Sequence, residues 1–309
     1  MLARTADSMF WLARYMERME NVARLLEAAQ HMSALSADAA EWRSALVAAG
    51  CDTGYDAKYG VATPADVVRY MTSDRDNPSA ILCCLDQARS NARAMRIALT
   101  RDMWDAVNEA WLESRSLSPA SFSPENLAHA LDWVKRTATR FRGAYAGTML
   151  RNDVYWFTRL GTYIERADNT ARILDVKYHV LLPDYSGVGG MLDYYQWASI
   201  LHAVSAVRAY KVVYHGRVTP WNVADLLILR PEMPRSLRCC YDEIIENLDR
   251  LAEAYGQRGE CHRLAGDAAS RLRYARIDSI FGQGLHEFLT DSVERTADIG
   301  SEIAKFYLL

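Results

Sequence analysis

An all-α fold is what this 309-residue sequence predicts: a helical bundle of about ten to twelve helices, built from a tandem internal duplication with pseudo-two-fold symmetry. Three observations carry that expectation. Apolar residues recur at three- and four-residue spacing along most of the chain. Alternating β-branched runs, the mark of strands, are almost absent. A segment at 15–27, YMERMENVARLLE, returns 148 residues later as YIERADNTARILD at 163–175, with seven of thirteen positions identical.

In chain order, Trp11, Leu12, Tyr15, Met16, Met19, Val22, Ala23 and Leu26 fall on one broad helical face. Thr5 or Asp7 is positioned to cap that helix. Thr63-Pro64 precedes an apolar run, the pattern of an N-cap followed by proline at the first helical position. Residues 78–98 form a further amphipathic stretch through Ile81, Leu82, Leu85, Ala88, Ala92 and Met95. Ser123-Pro124 repeats the Thr63-Pro64 pattern, and Thr219-Pro220 does so again. Helical spacing also covers 191–214, 234–255 and 264–307.

The repeat reaches well beyond its first segment. Trp42, Ser44, Tyr55 and Tyr59 match Trp197, Ser199, Tyr210 and Tyr214 at an offset of 155. Thr63-Pro64, Pro78, Cys83, Cys84 and Asp86 match Thr219-Pro220, Pro234, Cys239, Cys240 and Asp242 at 156. The Gly-rich loop from Pro183 to Gly190 is the natural home of the larger insertion. Segments 101–148 and 257–309 resemble each other only weakly. The other irregular stretches, near Ser33 to Ala40 and Ser116 to Pro124, lack the composition of a flexible linker. The reading is one all-α domain over 1–309 made of two repeats, approximately 1–148 and 149–309.

Composition narrows the function classes. Half of the residues are hydrophobic, enough for a sizeable core. The net charge of −3 leaves no basic footprint for nucleic acid. No apolar run approaches the roughly 18 residues of a membrane span, and no secretory signal pattern opens the chain. The six cysteines show neither CxxC nor disulfide-framework spacing, so they read as reduced thiols in a cytoplasmic protein.

The functional clue is a polar stripe. At ~100° per residue, Arg14, Glu17, Arg18, Asn21 and Arg24 occupy a strip about 120° wide on the first long helix. Glu165, Arg166, Asn169 and Arg172 occupy the equivalent strip of the second, with Thr162 where Arg14 stands. Two readings stay open. The structural one takes the stripe as a buried polar network that docks the two halves, aided by Glu20–Arg24 and Asp168–Arg172 pairs at i,i+4. The functional one takes it as a ligand or partner site. Arginine forks suit a carboxylate or phosphate, and Glu17 or Glu165 is available as a general base. Whether the two stripes face each other is open at this level.

Other chemistry is weaker. Glu17-x-x-Glu20 and Glu165-x-x-Asp168 have a spacing akin to di-metal bundles, but no histidine stands at i+3, so neither metal nor cofactor is expected. The seven histidines are scattered, and His179 and His215 flank turns. Gly187, Gly189 and Gly190 lack the Lys-Ser/Thr of a phosphate loop, and no serine sits in G-x-S-x-G. Cys83 and Cys239 lie in apolar helical surroundings that predict inert thiols. Most aromatics, including Tyr194, Tyr195 and Trp197, fall at core-like helical spacing.

The start MLARTADSMFWLARYMERMENVARLL, the middle IERADNTARILDVKYHVLLP and the stretch TPWNVADLLILRPEMPRSLR closely resemble the bacterial alpha-E family. The resemblance runs through the whole chain and implies a wholly helical protein without established activity. It also implies neighbours: a circularly permuted ATP-grasp protein and a transglutaminase-like cysteine peptidase. The expectation is then a non-ATP-binding helical component of a peptide or amide-bond synthesis or modification system, since ATP-binding and thiol-protease motifs are missing here. The alternative is a stand-alone enzyme using Glu17 or Glu165 on an amino-acid or peptide substrate. The residues matching the family's helical motifs are Arg14, Glu17, Arg18, Asn21, Arg24, Arg159, Glu165, Arg166, Asp168, Asn169 and Arg172.

Overall fold

Two long helices form the centre of the molecule, α1 (Ala3–Ser33) and α8 (Asp153–His179). The computed structural model describes residues 3–33, 40–179 and 191–308. Between the two lie α2 (Ala40–Ala48), α3 (Asp52–Asp56), α4 (Pro64–Thr72), α5 (Ile81–Ala94), α6 (Arg101–Ser114) and α7 (Leu127–Thr148). After α8 come α9 (Met191–Ala203), α10 (Val207–Tyr214), α11 (Pro220–Ile228), α12 (Leu237–Tyr255), α13 (Glu260–Tyr274), α14 (Ile277–Gln283) and α15 (Leu285–Ile303). Fifteen α-helices and no strand occur among the described residues. The excess over ten to twelve comes largely from pieces of one or two turns, such as α3 and α14, too short to show a period.

The packing falls into two matching sets. α5 and α7 flank α1, while α12 and α15 flank α8. α6 closes over α5 and α7, and α13 closes over α12 and α15. α2 and α9 each touch both central helices. Buried apolar side chains form one continuous cluster from Ala6 to Ile303. The central helices cross at Gly161, where an added Cβ would stand 2.1 Å from the carbonyl oxygen of Phe10. Only glycine lets the backbones come so close.

Local signals decide many boundaries. Thr63 Oγ1 accepts from the Asp66 amide at 3.2 Å, and Thr219 Oγ1 from the Asn222 amide at 3.3 Å, each with proline at the first helical position. Tyr55 and Tyr210 repeat a second device: each hydroxyl takes the backbone amide of the capping threonine, at 3.4 Å and 3.1 Å.

Several expectations need correction. Thr5 and Asp7 lie inside α1, which already runs at Ala3, so neither caps it. Ser123-Pro124 sits in a turn before α7, because the Ser123 carbonyl accepts both the Asn126 and Leu127 amides while its hydroxyl turns to Glu125. The run 191–214 breaks at Ser205, and 264–307 breaks near Ala275 and at Gly284. In both places the apolar period passes through turns that reorient the chain without interrupting the pattern. The loop from Pro183 to Gly190 and the side chain of His179 lie outside the described residues.

Candidate functional site: an arginine–carboxylate network between the central helices

The two polar stripes face each other. Contacts rise together in number, Phe10 and Ala13 to Gly161, Arg14 and Arg18 to Glu165, so α1 and α8 run parallel. The strip lies opposite part of the apolar face, yet it is buried too, because α1 is wrapped by α5, α7 and α8.

At the centre is a reciprocal exchange. Arg18 holds Glu165 through Nε at 2.5 Å and Nη2 at 2.9 Å. Arg166 holds Glu17 through Nε at 2.8 Å and Nη2 at 3.0 Å. Each Glu-Arg dipeptide thus gives its acid to one partner helix and takes that helix's acid with its own fork, as an isologous contact does. Arg14 adds a third bond to Glu165 at 2.8 Å.

Three residues enlarge the Glu17 side. Arg235 donates to Glu17 at 3.0 Å and to Glu20 at 3.1 Å. Arg142 donates to Glu17 at 3.3 Å and grips both oxygens of Glu20. Arg24 closes on Glu20 at 2.6 Å and reaches on to Ser205 Oγ, also at 2.6 Å. Glu17, Glu20 and Glu165 are 2 %, 0 % and 2 % exposed, so every one of these charges needs its partner.

The electrostatics follow from that geometry. Burial disfavours a charged Glu17, but Arg166 and Arg235 outweigh it and hold the carboxyl well below the usual range. Burial opposes ionised Glu165 as well, and Arg18 and Arg14 overcome it. Glu20 is lowered against burial and against Glu17 by Arg235 and Arg142. Asp168 goes the other way: burial raises it, and Arg172 at 2.8 Å compensates only in part. Arg235 is lowered, burial and the neighbouring Arg166 outweighing its acids.

The sequence-predicted residues therefore divide. Arg14, Glu17, Arg18, Glu165 and Arg166 meet directly, and Arg24 joins them through Glu20. Asp168 and Arg172 form an adjoining pair. Arg159 points elsewhere, to Glu243 and the Tyr155 and Tyr163 hydroxyls. Asn21 and Asn169 are buried beside the exchange, with Asn21 Oδ1 and Asn169 Nδ2 lacking a hydrogen-bond partner among the described residues.

Sequence reasoning missed Arg142 and Arg235, and it weighed Glu20 as a helix-stabilising partner and for a metal-like spacing, not as part of this network. Arg235 follows the turn before α12, where the matched residue is Ser79, so the repeat gave no signal. Arg142 lies in 101–148, a segment that resembles 257–309 only weakly.

Chemically, the network is closed. Every carboxylate oxygen of Glu17, Glu20 and Glu165 accepts from at least one guanidinium group. The clefts beside Trp42 and Phe122, beside Trp133, and beside His31 are lined by other residues. Cys83 and Cys239 have thiols pushed up by burial, which weakens them as nucleophiles. Among the described residues no three His, Cys, Asp or Glu side chains cluster to hold a metal ion, and no helix is long and apolar enough to cross a membrane.

Comparison with known proteins adds a family. One described as a predicted α-helical domain with a conserved Glu-Arg motif matches residues 1–308. The dipeptide occurs here at 17–18, 165–166 and 294–295, and the first two make the reciprocal exchange. An uncharacterized protein of Mycobacterium bovis and two of Mycobacterium tuberculosis strains are each 24% identical over 319 residues, covering 93% of this chain and 34% of theirs. The chain thus spans about a third of the length of these relatives. No solved structure matches. With the match running from end to end and its Glu-Arg motif at the core of the molecule, the chain belongs to the Alpha-E family.

Proposed function

We propose that this chain is a non-ATP-binding helical module that works beside a catalytic partner in peptide or amide-bond synthesis or modification. The partners would be the ATP-grasp ligase and the transglutaminase-like protein that the family resemblance implies. One observation supports this most: in the mycobacterial relatives a region like this chain accounts for about a third of a much longer protein. A fold joined to other sequence in these relatives suits a component better than a free-standing enzyme. The inward-facing stripe agrees, because its charges serve the fold and leave recognition to the outer helices. All six cysteines are free thiols, as suits action in the cytoplasm.

Affinity purification of the tagged full-length chain from its host tests the reading. An ATP-grasp or transglutaminase-like protein should co-elute in defined stoichiometry and re-form a complex when both are purified. Elution of the chain alone, with no complex on mixing, overturns it.

The stand-alone enzyme fares worse on geometry. A general base needs a pKa near the working pH, whereas Arg166, Arg235 and Arg142 hold Glu17 far below it. The purified chain given amino acids, peptides, ATP and magnesium should leave them unchanged; turnover abolished by Glu17→Gln or Glu165→Gln in a folded protein would restore the enzyme reading.

A further inference from the structure

Ser205 adopts a left-handed backbone with φ of 55°, a conformation in which a non-glycine Cβ crowds the following carbonyl. It ends α9 in a turn where the Ala206 amide returns to the Leu201 carbonyl at 2.7 Å. The matched position 155 residues earlier is Gly50, with φ of 63° and the equivalent Cys51-to-Leu46 bond at 3.0 Å. Glycine therefore satisfies this turn, and serine stands there at a conformational cost. Such an outlier invites a search for what its side chain does.

The hydroxyl borders a cleft of about 280 Å³ between the end of α1, α7 and the α9–α10 turn. Its polar lining is His31, Lys135, His202, Ser205, Arg208 and Glu27. Lys135 donates one hydrogen bond to Glu27 at 2.7 Å, the one carboxylate in that lining, and stands 4.0 Å from Asp132, which leaves ammonium protons to donate. Arg208 is exposed and has no acceptor among the described residues. Ser205 Oγ accepts from Arg24, which leaves its own proton to donate. The two imidazoles meet edge to face, 6.4 Å between centroids, at the same mouth. Arg208, Lys135 and Ser205 thus bring donor capacity to the cleft, and each imidazole can donate from one ring nitrogen. The first half lacks the set: positions matching His202, Ser205 and Arg208 are Val47, Gly50 and Thr53.

We propose that this cleft binds an oxyanion, a carboxylate or phosphate carried on a small molecule, through Arg208, Ser205 and Lys135. Planar guanidinium and clustered hydroxyl and ammonium donors suit either group. The volume is close to the roughly 300 Å³ at the lower end of small-molecule sites. This site is independent of the partner reading above.

Titration calorimetry of the full-length chain tests it, with inorganic phosphate in one arm and succinate in the other. At least one should bind saturably at a single site below about 10 mM, and the tighter arm identifies the source. Ser205→Gly and Arg208→Ala should each weaken that binding by about tenfold while the helical circular-dichroism spectrum is unchanged. Ser205→Gly keeps the turn, as Gly50 demonstrates, so weaker binding there reports the hydroxyl and not lost structure. Failure of both anions to saturate, or wild-type affinity in either variant, overturns the proposal.

Discussion

Glu17 and Glu165 occupy matched positions 148 residues apart, and so do Glu20 and Asp168, yet the reciprocal fork is shared by the first pair and not by the second. Glu17 and Glu165 each receive a two-pronged fork from the opposite helix. Glu20 is gripped by Arg24, Arg142 and Arg235, while Asp168 has Arg172 as its hydrogen-bonded partner. The difference separates two jobs. The reciprocal exchange sets the register of α1 on α8 and needs both copies. The second acid of each stripe is outside that exchange, so its surroundings differ between the halves. The Glu20 side gathers arginines from α7 and from the turn before α12, and it leads through Arg24 to the Ser205 cleft.

The sharpest way to break the comparison is to neutralise the central acids one at a time. Glu17→Gln strands Arg166 and leaves Arg235 with Glu20 as its acid, and these side chains are 8 % and 10 % exposed. Removing one partner of such a buried pair costs about 3–5 kcal/mol. Glu165→Gln frees Arg14 and Arg18, at 18 % and 24 %, which water reaches more readily. Its cost should be smaller by 1 kcal/mol or more on the same scale. Urea unfolding of both variants measures the gap; equal losses would show that the two halves of the exchange are energetically equivalent.

Gly161→Ala attacks the same contact through the backbone. Its Cβ would meet the Phe10 carbonyl oxygen, which cannot rotate away, so α1 and α8 must separate. Overpacking of this kind costs about 1–3 kcal/mol. The matched residue, Ala13, already carries a Cβ, and Ala13→Gly should cost only ~1 kcal/mol from helix propensity and lost packing. A Gly161→Ala protein with wild-type thermal stability would remove the close approach from the account.

Much of this was legible in the sequence because it is local. Helical spacing and the Thr63 and Thr219 caps depend on residues within a few positions, and the structure keeps them where they were expected. The polar strip was legible on each long helix, but not its direction, and Arg159, grouped with it, turns to Glu243 instead. A polar strip opposite an apolar face ordinarily meets water, and only the packing of α5, α7 and α8 around α1 turns it inward. Arg142 and Arg235 reach Glu17 from 125 and 218 residues away, and nothing in the period or the repeat announces such a contact. Ser205 ended a helix in the middle of an unbroken apolar pattern, since periodicity does not register a backbone angle.

The smallest effect is the most specific to the asymmetry, and it appears in pH dependence. Glu20 has a folded pKa below its ordinary value, so its contribution is present above the unfolded pKa and fades as pH falls through the folded one. Asp168 has a folded pKa above the ordinary 3.8, so the folded state holds its proton more tightly and stability declines as pH rises through that window. Glu20→Gln should therefore destabilise most at neutral pH and lose its effect on acidification. Asp168→Asn should do the reverse relative to wild type: best tolerated near neutrality, where the wild-type acid is charged and under-compensated, and relatively worse toward pH 4, where the wild-type acid takes its proton. Chemical denaturation of the two variants and the wild type from neutral pH to well below pH 4 gives the sign directly. Parallel curves for the two variants would mean that Arg172 alone supports Asp168 as well as three arginines support Glu20.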